Sequence, residues 1–270
     1  MSISFILRMI SKMVSGNGGN TPSQNINDEI ERAKGRATKR IYRAKMRAQE
    51  ELGELDRVRI TLMSGDMKKF TNEFSQIKNV NFHDCDTLTG LEQFNKERKS
   101  WKELQELSTK AMGLITLSGA MDAIGFGAGV LDQYAIVPDI NGLEDVSKED
   151  VEALKEIGVR LDEFQKKVKK MCRRMQEIRR EARQAEDALL DLSDYLEDGI
   201  ADIKNIRSKA GNNWKKYTES QKILIGRTAQ VAHLISILSE VRFLTDEADL
   251  REEIKEALGA ASELLDELGA

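Results

Sequence analysis

The chain has 270 residues and a net charge of −4, with 33% charged residues, 5% aromatic residues and 2 prolines. This composition is typical of long helices and argues against a sheet-rich fold, because Ala, Glu, Lys, Leu and Arg are strong helix formers. The small acidic excess argues against a nucleic-acid binder, which usually needs a strong basic excess to displace phosphate counterions. The 2 cysteines, Cys85 and Cys172, are too few and too far apart to predict a disulfide framework.

Residues 3–14 predict a short amphipathic helix, whose apolar face carries Ile3, Ile6, Leu7, Ile10, Met13 and Val14. This helix is expected either in a membrane interface or against the protein's own bundle. Basic residues interrupt the apolar run, so the segment is not a convincing signal peptide. We therefore expect a cytoplasmic location, with membrane association or export by a non-standard route as alternatives. Residues 15–24 predict a flexible linker, and the next helix is expected to begin near Asn27 or Asp28.

A long helix is predicted over residues 30–62, where apolar or small side chains recur at steps of three and four. These are Ile30, Ala33, Ala37, Ile41, Ala44, Ala48, Leu55 and Leu62. The outer face is basic and carries Arg32, Lys34, Arg36, Lys39, Arg40, Arg43, Lys45 and Arg47. Such a face predicts contact with nucleic acid or anionic lipid, or a solvated surface opposite an acidic helix such as residues 187–198 or the C-terminal stretch.

A second helical stretch is predicted over residues 64–81, with Met67, Phe70, Phe74 and Ile77 on its buried side. Turn-forming Asn and Asp residues end it near residues 80–87. Four metal-capable side chains follow one another there: His83, Asp84, Cys85 and Asp86. Because adjacent residues cannot converge on one ion without unusual backbone geometry, we expect no metal site.

The strongest pattern lies in residues 148–207, where two interleaved seven-residue series are apolar. The first series is Leu154, Leu161, Val168, Met175, Ala182, Leu189, Leu196 and Ile203, and the second is Ile157, Phe164, Met171, Ile178, Ala185, Leu192, Gly199 and Ile206. Only Gly199 breaks the pattern, which predicts one continuous coiled-coil helix of about 80 Å. Basic residues flank its first half and acidic residues its second half. A turn at residues 210–213 and further helix over residues 219–268 complete the prediction of an elongated antiparallel bundle.

Residues 112–137 do not fit a soluble bundle, since Asp122 and Asp132 are the only charged residues between Lys110 and Pro138. The segment is long enough to span a bilayer but its glycines and Asp122 make it suited to conditional insertion. The predicted inserting residues are Leu114, Ile115, Leu117, Ile124, Phe126, Val130 and Leu131. The predicted flexible positions are Gly113, Gly119, Gly125, Gly127 and Gly129. The alternative is an ordinary hairpin buried under the other helices.

An amphipathic N-terminal helix, a long helical stalk and an apolar Gly-rich hairpin together resemble the α-helical pore-forming toxins, the family of cytolysin A and the haemolysin BL components. The resemblance concerns architecture and no motif matches residue by residue. The patterns divide the chain into four segments: residues 1–23 as amphipathic helix and linker, 24–110 as the first part of the stalk, 111–138 as the hairpin, and 139–270 as long coiled-coil helices. The resemblance implies a hairpin that is hidden in the soluble form and enters a bilayer on assembly.

No nucleophile motif is present, and His83 and His233 are the only histidines, so we expect neither an enzyme nor a catalytic residue. The expected function is that of a membrane-active helical protein that oligomerises and inserts its apolar hairpin into a bilayer. The alternative is a soluble coiled-coil scaffold. Expected partners are a lipid membrane and a second copy or another long-helix protein, without cofactor, metal, nucleic acid or small-molecule substrate.

Overall fold

A computed structural model describes residues 22–82, 151–245 and 249–269 of the chain. These residues form an all-α structure without strands, as the composition predicts. The α-helices are α1 (Pro22–Ser64), α2 (Asp66–Phe74), α3 (Val151–Ala210), α4 (Glu219–Glu240) and α5 (Glu252–Leu268), with a short 3-10 helix at Trp214–Lys216. The chain divides into two compact units. The described part of the first unit is residues 22–49 and 151–179, and that of the second is residues 50–82, 180–245 and 249–269.

Helix α1 begins at Pro22, earlier than the expected start near Asn27, so the predicted linker is shorter than expected at its C-terminal end. Proline is well suited to a first helical turn because its φ angle is already helical and its missing N–H needs no partner there. The predicted apolar series is confirmed. Ile30, Ala33, Ala37, Ile41, Ala48, Leu55 and Leu62 are all buried, and Ala44 is half-buried.

Helix α3 confirms the prediction of one continuous helix, since it runs without interruption from Val151 to Ala210. Both seven-residue series point inward: every member from Phe164 to Ile206 is buried except Met171, which is half-buried. Gly199, the single exception to the apolar pattern, is buried as well. Its position lies so close to α4 that a Cβ atom there would be 2.3 Å from Thr228 Oγ1. The small residue is therefore required by helix packing.

Helix α2 ends at Phe74, before the expected limit near residue 81, although all four of its predicted core residues are buried. The chain then turns through Asn79, which has a φ of 61°, a conformation that asparagine tolerates better than most residues. Lys78 N–H donates to Asn212 O (2.7 Å) and Trp214 N–H donates to Lys78 O (3.1 Å). These bonds join the turn after α2 to the turn after α3.

An aromatic cluster packs beside the turns that follow α2 and α3 in the second unit. Its ring centroids are 5.5 Å apart for Phe70 and Phe74, 5.9 Å for Phe74 and Phe82, and 5.7 Å for Phe82 and Trp214. Tyr217 continues the series at 6.1 Å from Trp214, and its hydroxyl donates to Gly211 O at 2.7 Å. Gly211 has a φ of 78°, so the predicted turn at residues 210–213 is confirmed and requires glycine.

Helices α4 and α5 pack against each other in the second unit. Thr218 caps α4 through a reciprocal capping box, in which its hydroxyl accepts from Gln221 N–H and the Gln221 side chain accepts from Thr218 N–H. The helical pattern expected over residues 219–268 is interrupted after Glu240. Buried Phe243 and Leu244 fall in this break, where Leu244 pairs with Leu250 in an isolated antiparallel bridge.

The second unit also contains a buried ion pair within α1. Asp56 and Arg59 are 2% and 1% exposed, and Arg59 Nη1 lies 3.7 Å from Asp56 Oδ1. The Arg59 guanidinium lies 5.8 Å from the centroid of the Phe243 ring. Burial raises the pKa of Asp56 to about 7, and the positive charge of Arg59 only partly opposes this rise. Burial lowers the pKa of Arg59 to about 10. Desolvation therefore outweighs the attraction between the two charges.

Candidate anion-binding groove

The described part of the first unit is basic. Residues 22–49 and 151–179 contain seventeen Lys and Arg but eight Asp and Glu, an excess large enough to attract anions while the whole chain is slightly acidic. Both helices contribute, since eight of these cations belong to α1 and nine to α3. The positive charge is thus a property of this unit as a body and not of one helix.

A groove of about 640 Å³ lies between α1 and α3 in this unit. Its apolar floor consists of Ala33 and Ala37 from α1 and of Phe164 and Val168 from α3. These residues are buried because they belong to the three- and four-residue series through which the helices pack. The alanines keep the floor of the groove low, since larger side chains at these positions would fill the space.

Cations form the rim of the groove. Arg36 and Arg40 line it from α1, and Lys166 and Lys169 line it from α3. They follow the floor residues at helical spacing and are all exposed, so their aliphatic stems extend the apolar surface while their charged ends remain in water. Arg40, Lys166 and Lys169 make no ion pair with another described residue. Asp162 contributes the only carboxylate among the lining residues.

Arg40 also acts on the buried thiol of Cys172 on α3. Burial raises the pKa of this thiol, while the positive charge of Arg40 lowers it in part. The thiol is therefore protonated and a poor nucleophile at neutral pH.

Four cations around an apolar floor suit a ligand with a negative head and an adjoining apolar part. Guanidinium groups bind phosphate or carboxylate oxygens in a bidentate manner, and ammonium groups add point charges. The cavity volume falls within the range of about 300–1,000 Å³ that is usual for small-ligand sites. The groove thus offers the chemistry to bind an anion that carries an apolar part.

Several predicted residues lie outside the described part of the chain. They include all the predicted inserting residues, from Leu114 to Leu131, and the flexible glycines from Gly113 to Gly129. The amphipathic segment at residues 3–14 and the candidate metal residues His83, Asp84, Cys85 and Asp86 also lie outside it. His233 is described: it is half-buried in α4, and burial lowers its pKa.

Sequence reasoning identified the basic residues of α1 and α3 separately but did not predict that they share a groove. It did not predict that α1 packs against the basic half of α3 in the first unit. One feature of the sequence pointed to the groove: in both α1 and α3 the basic residues flank small or apolar residues, and the helical spacing is the same in the two helices. Which two stretches pack together is a tertiary property that this spacing does not specify.

Comparison of the chain with models of protein families, with curated proteins and with solved structures finds no match. Among the described helices, none has a stretch long and apolar enough to cross a membrane. Within the same residues, no group of three or more His, Cys, Asp or Glu side chains is arranged to hold a metal ion.

Proposed function

We propose that this chain is a non-enzymatic, membrane-active helical protein that binds anionic phospholipid through the cationic groove. The groove is the observation that carries the proposal, because its cations and apolar floor complement a phosphate headgroup and the first methylene groups below it. Clusters of Lys and Arg contribute about 1 kcal/mol per residue at an anionic membrane surface. Phospholipid is favoured over nucleic acid because the whole chain has a net charge of −4 and the groove has an apolar floor.

Binding through the groove would bring the apolar segment at residues 112–131 to the bilayer, where it inserts. A central Asp in a spanning helix costs about 2.5–3.5 kcal/mol, which several large apolar neighbours can offset. The sequence supplies such neighbours around Asp122 in Leu117, Ile124 and Phe126. Oligomerisation and antiparallel pairing of the long helices belong to the same proposal, as does the architectural resemblance to α-helical pore-forming toxins.

The alternative is a coiled-coil scaffold that does not bind lipid. The buried seven-residue series of α3 favours it, because such seams also serve structural helical proteins. The two functions differ in one measurable property, since a scaffold should not respond to vesicles.

Co-flotation with vesicles tests the first step. We expect the protein to float with phosphatidylcholine vesicles that contain phosphatidylserine and not with vesicles of phosphatidylcholine alone. The groove variant Arg40→Gln, Lys166→Gln, Lys169→Gln should bind roughly a hundredfold more weakly, since three cations at about 1 kcal/mol each are lost. The control variant Lys167→Gln, Lys170→Gln, Arg173→Gln removes equal charge at exposed positions of α3 outside the groove and should bind clearly better than the groove variant.

Dye release tests the second step. The variant Ile124→Asp, Phe126→Asp should still float with anionic vesicles but should no longer release their contents. A wild-type protein that ignores anionic vesicles would contradict the proposal and favour the scaffold. Binding of a DNA duplex at physiological salt without vesicle binding would instead identify the groove as a nucleic-acid site. Full dye release by the double variant would exclude the apolar segment as the inserting element.

A further inference from the structure

A basic stripe runs along the outer face of α1, opposite its buried face. It consists of Arg32, Arg36, Lys39, Arg43 and Arg47, all of which are exposed. Their spacing of four, three, four and four residues keeps them on one side of the helix. Tyr42 and Met46 border this stripe and are 61% and 45% exposed, so both large side chains are available to a partner.

An acidic stripe runs along the outer face of the second half of α3. It consists of Asp187, Asp191, Asp194, Asp198 and Asp202, which are also all exposed. Their spacing is again four, three, four and four residues, and each stripe extends about 22 Å. None of these five carboxylates makes an ion pair with another described residue. Leu190 lies beside the acidic stripe and is 46% exposed.

We propose that a second copy of this chain docks at these stripes, with the basic stripe of one copy antiparallel to the acidic stripe of the other. Antiparallel alignment places Arg32 opposite Asp202, Arg36 opposite Asp198, Lys39 opposite Asp194, Arg43 opposite Asp191 and Arg47 opposite Asp187, each within one residue. In the same alignment Leu190 faces position 44, midway between Tyr42 and Met46. One apolar side chain therefore enters the gap between two others, as in knobs-into-holes packing.

The apolar residues select the antiparallel direction. A parallel alignment would match the charges equally well, but it would place Leu190 opposite Gly35 and Tyr42 opposite Glu197. Met46 would lie opposite Ala201, so no two of the three large apolar side chains would meet in the parallel arrangement. Antiparallel docking buries Tyr42, Met46 and Leu190 against one another. The flanking charges set the register, and repulsion prevents two stripes of the same charge from pairing.

A second copy is the occupant because this chain carries both stripes, with equal length, equal spacing and opposite charge. Each copy offers one stripe of either sign, so the same contact can be made twice by every molecule. The inference deepens the oligomerisation that the proposed function contains. It concerns assembly without lipid, whereas the groove concerns lipid. Arg36 lies in both surfaces, but none of the residues substituted in the two tests does, so either proposal can fail while the other holds.

Sedimentation equilibrium without lipid, combined with charge reversal, tests the docking surface. The basic-stripe variant Lys39→Glu, Arg43→Glu, Arg47→Glu and the acidic-stripe variant Asp187→Lys, Asp191→Lys, Asp194→Lys should each self-associate at least about tenfold more weakly than the wild type. An equimolar mixture of the two variants should associate again, because each reversed stripe meets a reversed partner. The groove variant Arg40→Gln, Lys166→Gln, Lys169→Gln should self-associate like the wild type.

Circular dichroism should show equal helix content in all variants, since every substituted residue is exposed. Wild-type association should also weaken with added salt, which provides a measurement independent of the variants. A wild type that remains monomeric at all concentrations overturns the proposal. Association that neither charge reversal nor salt affects overturns it as well, as does a mixture of folded variants that fails to associate.

Disulfide cross-linking between copies tests the direction, in a background with Cys85→Ser and Cys172→Ala. A mixture of Met46→Cys and Leu190→Cys proteins should form the mixed disulfide under mild oxidation. A mixture of Gly35→Cys and Leu190→Cys proteins should not, because these positions meet only in the parallel alignment. The reverse result would overturn the antiparallel register.

Discussion

Replacing Gly199 with Ala should destabilise the second unit, although Gly→Ala in a helix interior normally stabilises by about 0.5–1 kcal/mol. A Cβ atom at this position would lie 2.3 Å from Oγ1, 2.5 Å from Cγ2 and 2.9 Å from Cβ of Thr228. Carbon atoms in contact are normally about 3.5–4.0 Å apart. The three overlaps therefore require movement of α3 or α4.

Rotation of the Thr228 side chain cannot relieve the overlap. It would move Oγ1 and Cγ2 but leave Cβ in place, and it would break the bond that the hydroxyl donates to Leu224 O at 2.9 Å. Overpacking of this kind costs typically 1–3 kcal/mol, from which the better helix propensity of Ala subtracts about 0.5–1 kcal/mol. We expect a net loss of about 1–2 kcal/mol, or a fall in Tm of roughly 2–8 °C for a protein of this size.

Thermal unfolding followed by circular dichroism measures the effect, and Gly53→Ala is the matched control. Gly53 lies inside α1 in the same unit, and a Cβ atom there would have nothing within 4 Å. This variant should raise Tm by roughly 1–4 °C. Adding Thr228→Gly to Gly199→Ala should restore part of the loss beyond additivity, because it removes all three overlapping atoms. If Gly199→Ala raises Tm as much as the control does, the close approach of α3 and α4 is wrong.

Two further predictions concern the second unit. Because burial raises the folded-state pKa of Asp56 to about 7 from 3.8, the folded state holds a proton that the unfolded state has lost between these values. The contribution of Asp56 protonation to the free energy of unfolding is therefore complete below about pH 4 and is lost as pH rises through about 7. The free energy of unfolding of the wild type relative to Asp56→Asn should therefore decrease between pH 4 and 7 in urea titrations, and a flat difference would contradict the buried carboxyl. Thr218→Ala removes the capping box of α4 and should cost about 1 kcal/mol in the same assay, whereas Thr218→Ser should cost much less. Equal losses in the two variants would exclude the cap as the cause.

Helix positions and buried faces were largely predictable because both depend on local periodicity. The seven-residue series of α3 marked its buried residues correctly, and the three- and four-residue steps of α1 marked Ile30, Ala37 and Ile41. Boundaries were less predictable. Helix α1 begins at Pro22, and the helical pattern after Thr218 is broken near Phe243. Phe243 and Leu244 are apolar and buried although they lie outside a helix, so the apolar composition of this segment does not reveal the break.

The candidate groove depended on information that the sequence does not contain in readable form. Arg40 and Lys166 were each visible as members of a basic helix face, but more than a hundred residues separate them. Their convergence requires α1 and α3 to pack side by side in the first unit. The apolar faces that drive this packing are chemically similar in all the long helices, so apolar periodicity does not specify the partner of each helix.

The sequence by itself determined that the described chain is helical, that most members of the apolar series of α1 and α3 are buried, and that charge is separated into basic and acidic stretches. These properties follow from the period of the α-helix, which is the same wherever the helix packs. Only the tertiary structure decided that Gly199 is small because Thr228 lies against it, that Asp56 and Arg59 form a buried pair, and that cations of two helices share one groove. Each of these depends on the distance between atoms remote in sequence or on how completely neighbouring elements exclude water. The hydrophobic effect is non-directional, so a pattern of apolar residues along the chain shows which side chains are buried but not which atoms they contact.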